Sequence, residues 1–281
     1  MREDFRVLAQ GLLPAVLEAG ACLMDHFGNV GVPDTKSDGS PVTEADRQAE
    51  AILLKALTRV EPTIPVIAEE ATAAGHIPDV DDRFFLVDPL DGTKEFLGGR
   101  KEFTVNVGLI CSGVPRFGII YAPALEKMYL TLCETCAIAA TVPAHVQEIT
   151  LEALETGAEV MKTRPVPSDQ AMTIVASRSH GSKALEAWLE GINVKRRVNI
   201  GSSLKFCEIA QGTADIYPRF GPTMEWDTAA GHAIVLAAGG VVTLDDCSSR
   251  LYYAKHETDY KNPGFIVWAR EENTWRVNKA R

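Results

Sequence analysis

Two different hydrophobic patterns follow one another along the chain, and their order limits the folds that it can adopt. Between Phe84 and Leu132, short apolar runs separated by turns predict an antiparallel meander of hairpins. Beyond residue 170, apolar runs of strand length alternate with helical segments, which is typical of α/β proteins. Amphipathic helices are predicted before both parts, at residues 5–24 and from Thr43 onward. The chain is therefore predicted to consist of an α+β half followed by an α/β half.

The boundary between the two halves is predicted in a polar, proline-containing segment at residues 143–170. A chain of 281 residues is long for one domain and short for three, which favours two domains of moderate size. We place them at residues 1–155 and 156–281. Pro14 lies inside the first predicted helix, so we expect it to kink that helix or to delay its start.

The charge balance argues against some partners. With 38 acidic and 28 basic residues, the net charge is −10, whereas nucleic-acid binders normally carry a positive field, so no nucleic acid partner is predicted. No transmembrane segment is predicted either, because the longest continuous apolar run, Ala233 to Val242, is far shorter than about 20 residues. The first residues do not resemble a signal peptide, and the cysteines are scattered. We expect a cytoplasmic protein, or one peripheral at the inner face of the membrane, with reduced thiols. A lone Cys133-x-x-Cys136 lacks the further ligands that a metal or redox site needs.

The sharpest local feature is Asp88-Pro89-Leu90-Asp91-Gly92-Thr93, which directly follows an apolar strand candidate. Pro89 fixes one backbone torsion and Gly92 permits a tight turn, so both carboxylates and the Leu90 carbonyl can converge on one side. Oxygen donors of this kind suit Mg²⁺. The N–H groups of Gly92 and Thr93 would face an anion, and the Thr93 hydroxyl could orient a water. The simpler alternative is an Asx-type turn that only closes the strand.

Three further acidic features each have a simple structural alternative. Glu69-Glu70 follows another apolar run and could be a solvated strand end. Asp46 fits a capping box that begins at Thr43, and Asp227 fits a helix N-cap with Trp226 as its hydrophobic staple. Taken together, four elements end in acids that could point the same way, and clustered carboxylates are tolerated mainly around cations.

Two other segments provide groups that suit a phosphate. Gly201-Ser202-Ser203 opens a predicted helix, and Ser177-Arg178-Ser179-His180 follows a predicted strand. A carboxylate site for Mg²⁺ beside such groups indicates phosphate-ester hydrolysis, in which two metal ions about 4 Å apart activate a water and stabilise the leaving oxygen.

The motifs resemble those of the inositol monophosphatase superfamily, which are Mg²⁺-dependent, lithium-sensitive phosphatases. Four blocks occur in the family's order: Lys36-x-Asp38-x-Ser40-Pro41-Val42-Thr43-x-Ala45-Asp46, Glu69-Glu70, Asp88 to Thr93, and Trp226-Asp227-Thr228-Ala229-Ala230. Finer features are similar to the 3′(2′),5′-bisphosphate nucleotidase branch: Lys94-Glu95-Phe96, Ser177 to His180, Gly201 to Cys207, Tyr217 to Thr223, and Asn262 to Phe265. The resemblance covers nearly the whole chain, and no motif position departs from it in a way that would suggest an inactive enzyme.

The resemblance implies a layered αβαβα sandwich with the active site between its halves. It implies that two or three Mg²⁺ ions are bound by Glu69, Asp88, Asp91, Asp227 and the Leu90 carbonyl. Asp46 and Thr93 would deprotonate the attacking water, and Glu70 would support the ligands or hold a water on an additional ion. The substrate-binding candidates are Gly92, Thr93, Ser177, Arg178, His180, Ser202, Ser203, Lys205 and Arg219.

The substrate that the resemblance favours is 3′-phosphoadenosine 5′-phosphate, a small bisphosphate nucleotide that would be hydrolysed to AMP and phosphate. Its second anionic group needs cations of its own, for which Arg178, His180, Lys205 and Arg219 are candidates. The alternatives are an inositol monophosphatase or another small-molecule phosphatase of the superfamily, and a non-catalytic nucleotide sensor. A homodimer is left open.

Overall fold

A computed structural model describes residues 4–29, 33–35, 41–165, 167, 171–178 and 183–271 of the chain. The described helices are α1 (Arg6–His26), α2 (Glu44–Val60), α3 (Glu69–Ala73), α4 (Thr93–Leu97), α5 (Leu151–Thr156), α6 (Lys183–Leu189), α7 (Leu204–Ala210) and α8 (Ala229–Ala237). Two 3₁₀ turns cover Pro123–Leu125 and His256–Thr258.

Strands β1 to β9 belong to the first part of the chain. They are β1 (Asp34–Thr35), β2 (Pro41–Val42), β3 (Val66–Ala68), β4 (Arg83–Asp91), β5 (Thr104–Cys111), β6 (Val114–Ala122), β7 (Lys127–Cys133), β8 (Cys136–Thr141) and β9 (Glu159–Val160). The remaining strands are β10 (Met172–Ser177), β11 (Val194–Ile200), β12 (Ile216–Arg219), β13 (Thr223–Met224), β14 (Val241–Leu244), β15 (Lys261–Asn262) and β16 (Phe265–Trp268).

The larger sheet is the predicted meander, because β4 to β9 pair in chain order and all antiparallel. Strand β3 adds to its edge parallel to β4. The sequence reading missed β8 and β9, and β9 carries this sheet past residue 155. The division of the chain into two domains at that residue stays a prediction.

The smaller sheet has the strand order β11-β10-β12-β16-β14. Strand β10 is parallel to both of its neighbours, while β16 is antiparallel to β12 and to β14. The alternation of strands and helices that the sequence predicts in this part of the chain is therefore present, with one strand reversed.

Helices and sheets stack in five layers. Helices α1 and α2 pack together on the outer face of the larger sheet, and α7 and α8 lie between the two sheets. On the far face of the smaller sheet, Trp188 of α6 joins an apolar cluster with Trp268. The predicted αβαβα sandwich is confirmed. Glycine at position 108 of β5 allows α8 to approach the larger sheet closely, since a Cβ there would lie 2.7 Å from the Ala229 Cβ.

Helix α1 runs from Arg6 to His26 with Pro14 inside it, so the alternative of a delayed start at this proline is wrong. By length and composition α1 is apolar enough to cross a membrane, the one such helix in the described residues. However, 56% of its most apolar window is buried inside the fold. Residues such as Leu12, Leu13 and Leu23 belong to the core that this helix shares with α2 and the larger sheet, so α1 behaves as a core helix.

Candidate active site

The end of β4 carries the Asp-Pro-Leu-Asp-Gly-Thr turn. The pairing of β4 with β5 shifts register between Asp88 and Asp91, which accommodates Pro89 because a proline cannot donate to the ladder. The Leu90 N–H donates to Asp88 Oδ1 at 3.0 Å, which is the Asx-type contact that the sequence allowed. Gly92 then turns the chain with a φ of 96°, and α4 begins at Thr93. The local turn and the clustering of the two carboxylates are therefore compatible.

A cavity of about 380 Å³ opens over this turn, and residues from both halves of the chain line it. It brings together most of the predicted site residues, namely Glu69, Asp88, Leu90, Asp91, Gly92, Thr93, Ser177, Ser202, Ser203, Lys205, Arg219 and Asp227. Glu70, Asp46 and Arg178 do not line it. His180 lies outside the described residues.

The carboxylates of this cavity lie close enough to repel one another electrostatically. Burial raises the pKa of Asp88 well above its usual value, and the neighbouring charges of Glu69, Asp91 and Asp227 raise it further. Burial, with the charges of Asp91 and Glu69, likewise raises the pKa of Asp227. Burial raises the pKa of Asp91 to about 6, although the Lys205 charge opposes the shift. A proton retained by one of these carboxylates lowers their mutual repulsion, and a bound cation would have the same effect.

The donor set fits a hard divalent cation by its chemistry, because it consists of carboxylate oxygens and one carbonyl oxygen, without sulfur or nitrogen. As the side chains stand, no three His, Cys, Asp or Glu residues in the described ranges are gathered closely enough to hold a metal ion. The fit therefore rests on the oxygen chemistry and on the raised pKa values.

A buried glutamate of α2 positions the start of α3. The Glu50 carboxylate accepts hydrogen bonds from the backbone N–H groups of Glu70 at 2.7 Å and Ala71 at 2.8 Å. This contact fixes the first turn of α3, from which the Glu69 side chain reaches the cavity. Glu50 was not singled out from the sequence, since nothing in the pattern of α2 distinguishes it from an ordinary helix residue.

Asp46 completes the capping box that the sequence allowed. Its Oδ2 accepts hydrogen bonds from the Thr43 backbone N–H at 2.8 Å and from the Thr43 hydroxyl at 2.5 Å. Strand β2, just before Thr43, contacts α4, so the start of α2 lies beside the helix that begins with Thr93. The Thr93 hydroxyl itself donates to the Leu90 carbonyl oxygen at 3.2 Å.

Two buried cationic side chains line the same cavity. Lys205 is 6% exposed, its Nζ donates to the Ser202 carbonyl oxygen, and burial lowers its pKa to about 8 although Asp91 partly opposes the shift. Arg219 is 8% exposed and donates to the carbonyl oxygens of Gly221 at 3.2 Å and Pro222 at 2.8 Å. Burying a positive charge costs free energy unless a negative charge lies close to it. Here the carboxylate cluster supplies part of that negative charge.

The structure does not bring Arg178 into the cavity, in contrast to the sequence-based expectation. Its guanidinium pairs with Glu102 Oε1 at 2.6 Å and donates to the Asn199 carbonyl oxygen at 2.9 Å. Neither Glu102 nor Asn199 lines the cavity. The preceding residue, Ser177, does line the cavity.

Sequence reasoning missed several lining residues. Apolar or partly apolar walls come from Pro41, Phe206, Tyr217, Pro222 and Met224, while Lys94 and Lys261 add cations. Lys94 follows the Asp-Gly-Thr motif directly and Lys261 precedes the Asn-Pro-Gly-Phe motif, so position beside a motif was the available signal. Pro41, Phe206, Tyr217 and Pro222 also lie within motifs, and Met224 directly follows one, but an apolar side chain does not show by itself that it faces the site.

Comparison with known proteins agrees with this fold. The model of the inositol monophosphatase family matches residues 4–281. The chain belongs to the inositol monophosphatase family, whose enzymes are in general metal-dependent phosphatases.

Individual relatives indicate which branch of the family the chain resembles. The chain is 43% identical over 232 residues to the 3′(2′),5′-bisphosphate nucleotidase CysQ of Salmonella typhimurium, which covers 83% of this chain and 87% of the relative. It is 39% identical over 251 residues to the protein of the same name from Escherichia coli K12, which covers 89% of this chain and 94% of the relative. The crystal structure of CysQ from Bacteroides thetaiotaomicron is similar with a TM-score of 0.78 and 36% identity, covering 95% of this chain and 99% of that one. The resemblance to the family and to its bisphosphate nucleotidase branch is confirmed.

Proposed function

We propose that this chain is a Mg²⁺-dependent 3′(2′),5′-bisphosphate nucleotidase that hydrolyses 3′-phosphoadenosine 5′-phosphate to AMP and phosphate. The observation that carries the proposal is the arrangement of charge in the cavity. Carboxylates from Glu69, Asp88, Asp91 and Asp227 share it with the buried cations Lys205 and Arg219. A substrate with two anionic groups can use both: one group reaches bound metal ions and the other reaches the side-chain cations.

The four carboxylates and the Leu90 carbonyl would hold two or three Mg²⁺ ions. Bound there, such ions activate a water for attack on the phosphate and neutralise the charge that develops on the leaving oxygen. The chain's own task is to keep these oxygens together at pH 7 despite their repulsion. The turn at Gly92 and the contacts of Glu50 with α3 support this arrangement.

The proton of the attacking water needs an acceptor. Thr93 opens α4 inside the cavity, and the Asp46 carboxylate belongs to the neighbouring start of α2. In the proposed mechanism the Thr93 hydroxyl orients the water, accepts the proton that the water loses and donates its own proton to Asp46. Glu70 supports the metal ligand Glu69 or holds a further water. The backbone N–H groups of Gly92 and Thr93 would contact the reacting phosphate.

The second phosphate is assigned to Lys205 and Arg219, with hydroxyl contacts from Ser177, Ser202 and Ser203. With a pKa of about 8, Lys205 is mostly charged at pH 7, and a bound phosphate would raise that value again. Apolar walls beside these cations, such as Pro222 and Met224, would face a nucleobase. An inositol monophosphate has neither a second phosphate for these cations nor a base for the apolar walls.

A substrate panel tests the proposal. Phosphate release from 3′-phosphoadenosine 5′-phosphate, inositol 1-phosphate and fructose 1,6-bisphosphate is compared with Mg²⁺, with chelator, and with millimolar Li⁺. We expect the nucleotide to have the highest kcat/KM, with activity lost in chelator and reduced by Li⁺. A preference for inositol 1-phosphate would favour the second candidate, an inositol monophosphatase. Nucleotide binding without release of phosphate would favour a non-catalytic sensor. The cytoplasmic location and any homodimer stay predictions.

A further inference from the structure

An ion pair between a fully buried glutamate and a partly buried lysine lies beside the segment that carries Asp227. Glu225, two residues earlier, has a side chain with no exposed surface, and its Oε1 is 2.6 Å from the Lys255 Nζ. The backbone N–H of Lys255 donates to Oε1 at 3.0 Å, and that of Ala254 donates to Oε2 at 3.1 Å. Both carboxylate oxygens of Glu225 are thus bound to residues 254–255, which do not line the cavity.

Asn262 connects this ion pair to the same segment from a second side. Its Oδ1 accepts a hydrogen bond from the Lys255 Nζ at 3.2 Å. Its Nδ2 donates to the Met224 carbonyl oxygen at 2.8 Å and to the Thr228 hydroxyl at 3.1 Å. Lys255 therefore contacts both Glu225 and Asn262. Asn262 in turn binds Met224 and Thr228, which lie on either side of Asp227 in the chain.

The backbone of Met224 connects Asn262 to the Asp227 carboxylate. While its carbonyl oxygen accepts from Asn262, its backbone N–H donates to Asp227 Oδ2 at 2.8 Å. The backbone ladder here is short, because β13 and β15 are two residues long and pair with each other. Further backbone bonds join the Glu225 N–H to the Tyr260 carbonyl oxygen at 2.9 Å and the Thr228 N–H to the Glu225 carbonyl oxygen at 3.2 Å. The orientation of the Asp227 side chain thus depends on the Met224 N–H, and the side chains of Glu225 and Asn262 help to hold the segment that carries it.

Stability alone does not account for this ion pair. Replacing a buried ion pair with apolar side chains is often neutral or stabilising, since desolvation offsets the attraction between the charges. A pair that instead fixes the register of a short segment beside a carboxylate has a geometric effect that apolar packing does not reproduce. Residues that orient metal ligands in this way typically change metal affinity by about 10–100-fold when they are mutated.

We propose that Lys255, Glu225 and Asn262 are positioning residues that fix the Asp227 carboxylate for metal binding. The inference rests on the proposed function, because it assumes that Asp227 binds a metal ion. None of the three residues is assigned to contact substrate or the reacting atoms.

Direct metal binding tests it without using activity. Free Mn²⁺ is measured by electron paramagnetic resonance in titrations of the metal-depleted full chain, for wild type, Lys255→Met and Asn262→Ala. Both variants are expected to bind Mn²⁺ at least about tenfold more weakly. In assays, the Mg²⁺ concentration for half-maximal activity should rise by a similar factor, while kcat at saturating Mg²⁺ changes far less. Lys255→Arg should retain most of the affinity, since a guanidinium can still pair with Glu225.

Arg164→Met is the matched control. Arg164 pairs with Asp215, a carboxylate that is also buried in the second half of the chain and absent from the cavity lining. Its loss leaves a buried charge, as in Lys255→Met, so it should lower the thermal midpoint but leave the Mn²⁺ affinity unchanged.

The outcomes separate the two proposals. If wild type binds no Mn²⁺, the metal-dependent function fails. If wild type binds it and all variants bind equally well, or if Arg164→Met weakens binding as much as Lys255→Met, the positioning role is wrong. Should Lys255→Met fail to fold, Asn262→Ala decides the question, because it removes no charged side chain and leaves the Glu225–Lys255 ion pair in place.

Discussion

The Ser203 hydroxyl donates a hydrogen bond to Asn106 Oδ1 at 2.8 Å, which joins the start of α7 to β5 of the larger sheet. Thr104 Oγ1 lies 2.9 Å from the same Ser203 oxygen, so its hydroxyl is the donor of that second bond. On its other side, the Asn106 amide faces Asp91 Oδ2 at 3.5 Å, and the Ser203 backbone N–H also contacts that carboxylate. The two halves of the chain therefore meet through neutral groups directly behind Asp91.

Asn106→Leu should weaken both the fold and the site. It removes the Asn106 oxygen that accepts from the Ser203 hydroxyl, a loss of about 0.5–1.5 kcal/mol in the free energy of unfolding, since that hydroxyl can still donate to Thr104 Oγ1. It also removes the amide that faces Asp91. We expect a lower kcat/KM together with the lower stability. Thr104→Val is the control, because it is isosteric and keeps the bond between Ser203 and Asn106. Equal losses of kcat/KM in the two variants would contradict the role given to Asn106.

Gly92→Ala should be more harmful than its change in volume implies. Gly92 has a φ of 96°, and a Cβ there would lie 3.0 Å from the Glu102 carbonyl oxygen and 3.4 Å from the Ser202 Cβ. The left-handed conformation alone costs about 1–2 kcal/mol for an alanine. Gly75→Ala isolates this cost, since Gly75 has a φ of 85° and nothing within 4 Å of its Cβ position. Urea unfolding should show a larger loss for Gly92→Ala, and only Gly92→Ala should reduce phosphate release.

The fold could largely be predicted from the sequence because its elements have strong local patterns. The apolar runs of the meander and the alternation beyond residue 170 correspond to observed strands and helices. Strand β8, Cys136–Thr141, was missed because it is rich in alanine, which has a low strand preference, although four of its residues are buried. Strand β9 has two residues, too few for any periodicity.

The candidate site divides in a similar way. Groups inside contiguous motifs, such as Asp88 and Asp91, could be found because short turns force them together. Glu50, Glu225 and Lys255 could not be found, since their partners lie in distant segments and a single glutamate or lysine carries no local signal. Arg178 is the opposite case: it lies in a motif, yet its guanidinium pairs with Glu102 and it does not line the cavity.

Asp91→Asn should change how stability depends on pH in the metal-free protein. The pKa of Asp91 is raised from 3.8 to about 6 in the folded chain, so the folded state retains a proton that the unfolded chain releases between these values. Its contribution is therefore largest below about pH 4 and is lost as the pH rises through 6, a change on the order of 1–3 kcal/mol. Urea unfolding in chelator at pH 5 and pH 7.5 measures this.

In that experiment, wild type should lose more stability than Asp91→Asn between the two pH values. Added Mg²⁺ at pH 7.5 should then stabilise wild type by mass action and the variant much less, with phosphate release abolished in the variant. A Mg²⁺-induced stabilisation of equal size in both proteins, or Mg²⁺-dependent release by the variant, would rule out Asp91 as a metal ligand.

Lys205 should limit activity at alkaline pH through its low pKa. Burial lowers that pKa to about 8, so the free enzyme carries the ammonium below pH 8 and loses it above. Because kcat/KM reports groups of the free enzyme, its value for 3′-phosphoadenosine 5′-phosphate should fall from pH 7.5 to pH 9. Lys205→Gln should have a low kcat/KM that no longer depends on this ionisation. Lys205→Arg should stay charged, so its kcat/KM should not fall between pH 7.5 and pH 9.

Adenosine 3′-monophosphate is the matched substrate, since it lacks the second phosphate that Lys205 is assigned to bind. Its kcat/KM should be less sensitive both to the pH change and to Lys205→Gln; a similar loss for the two substrates would instead place Lys205 at the reacting phosphate, through its contact with the charge of Asp91.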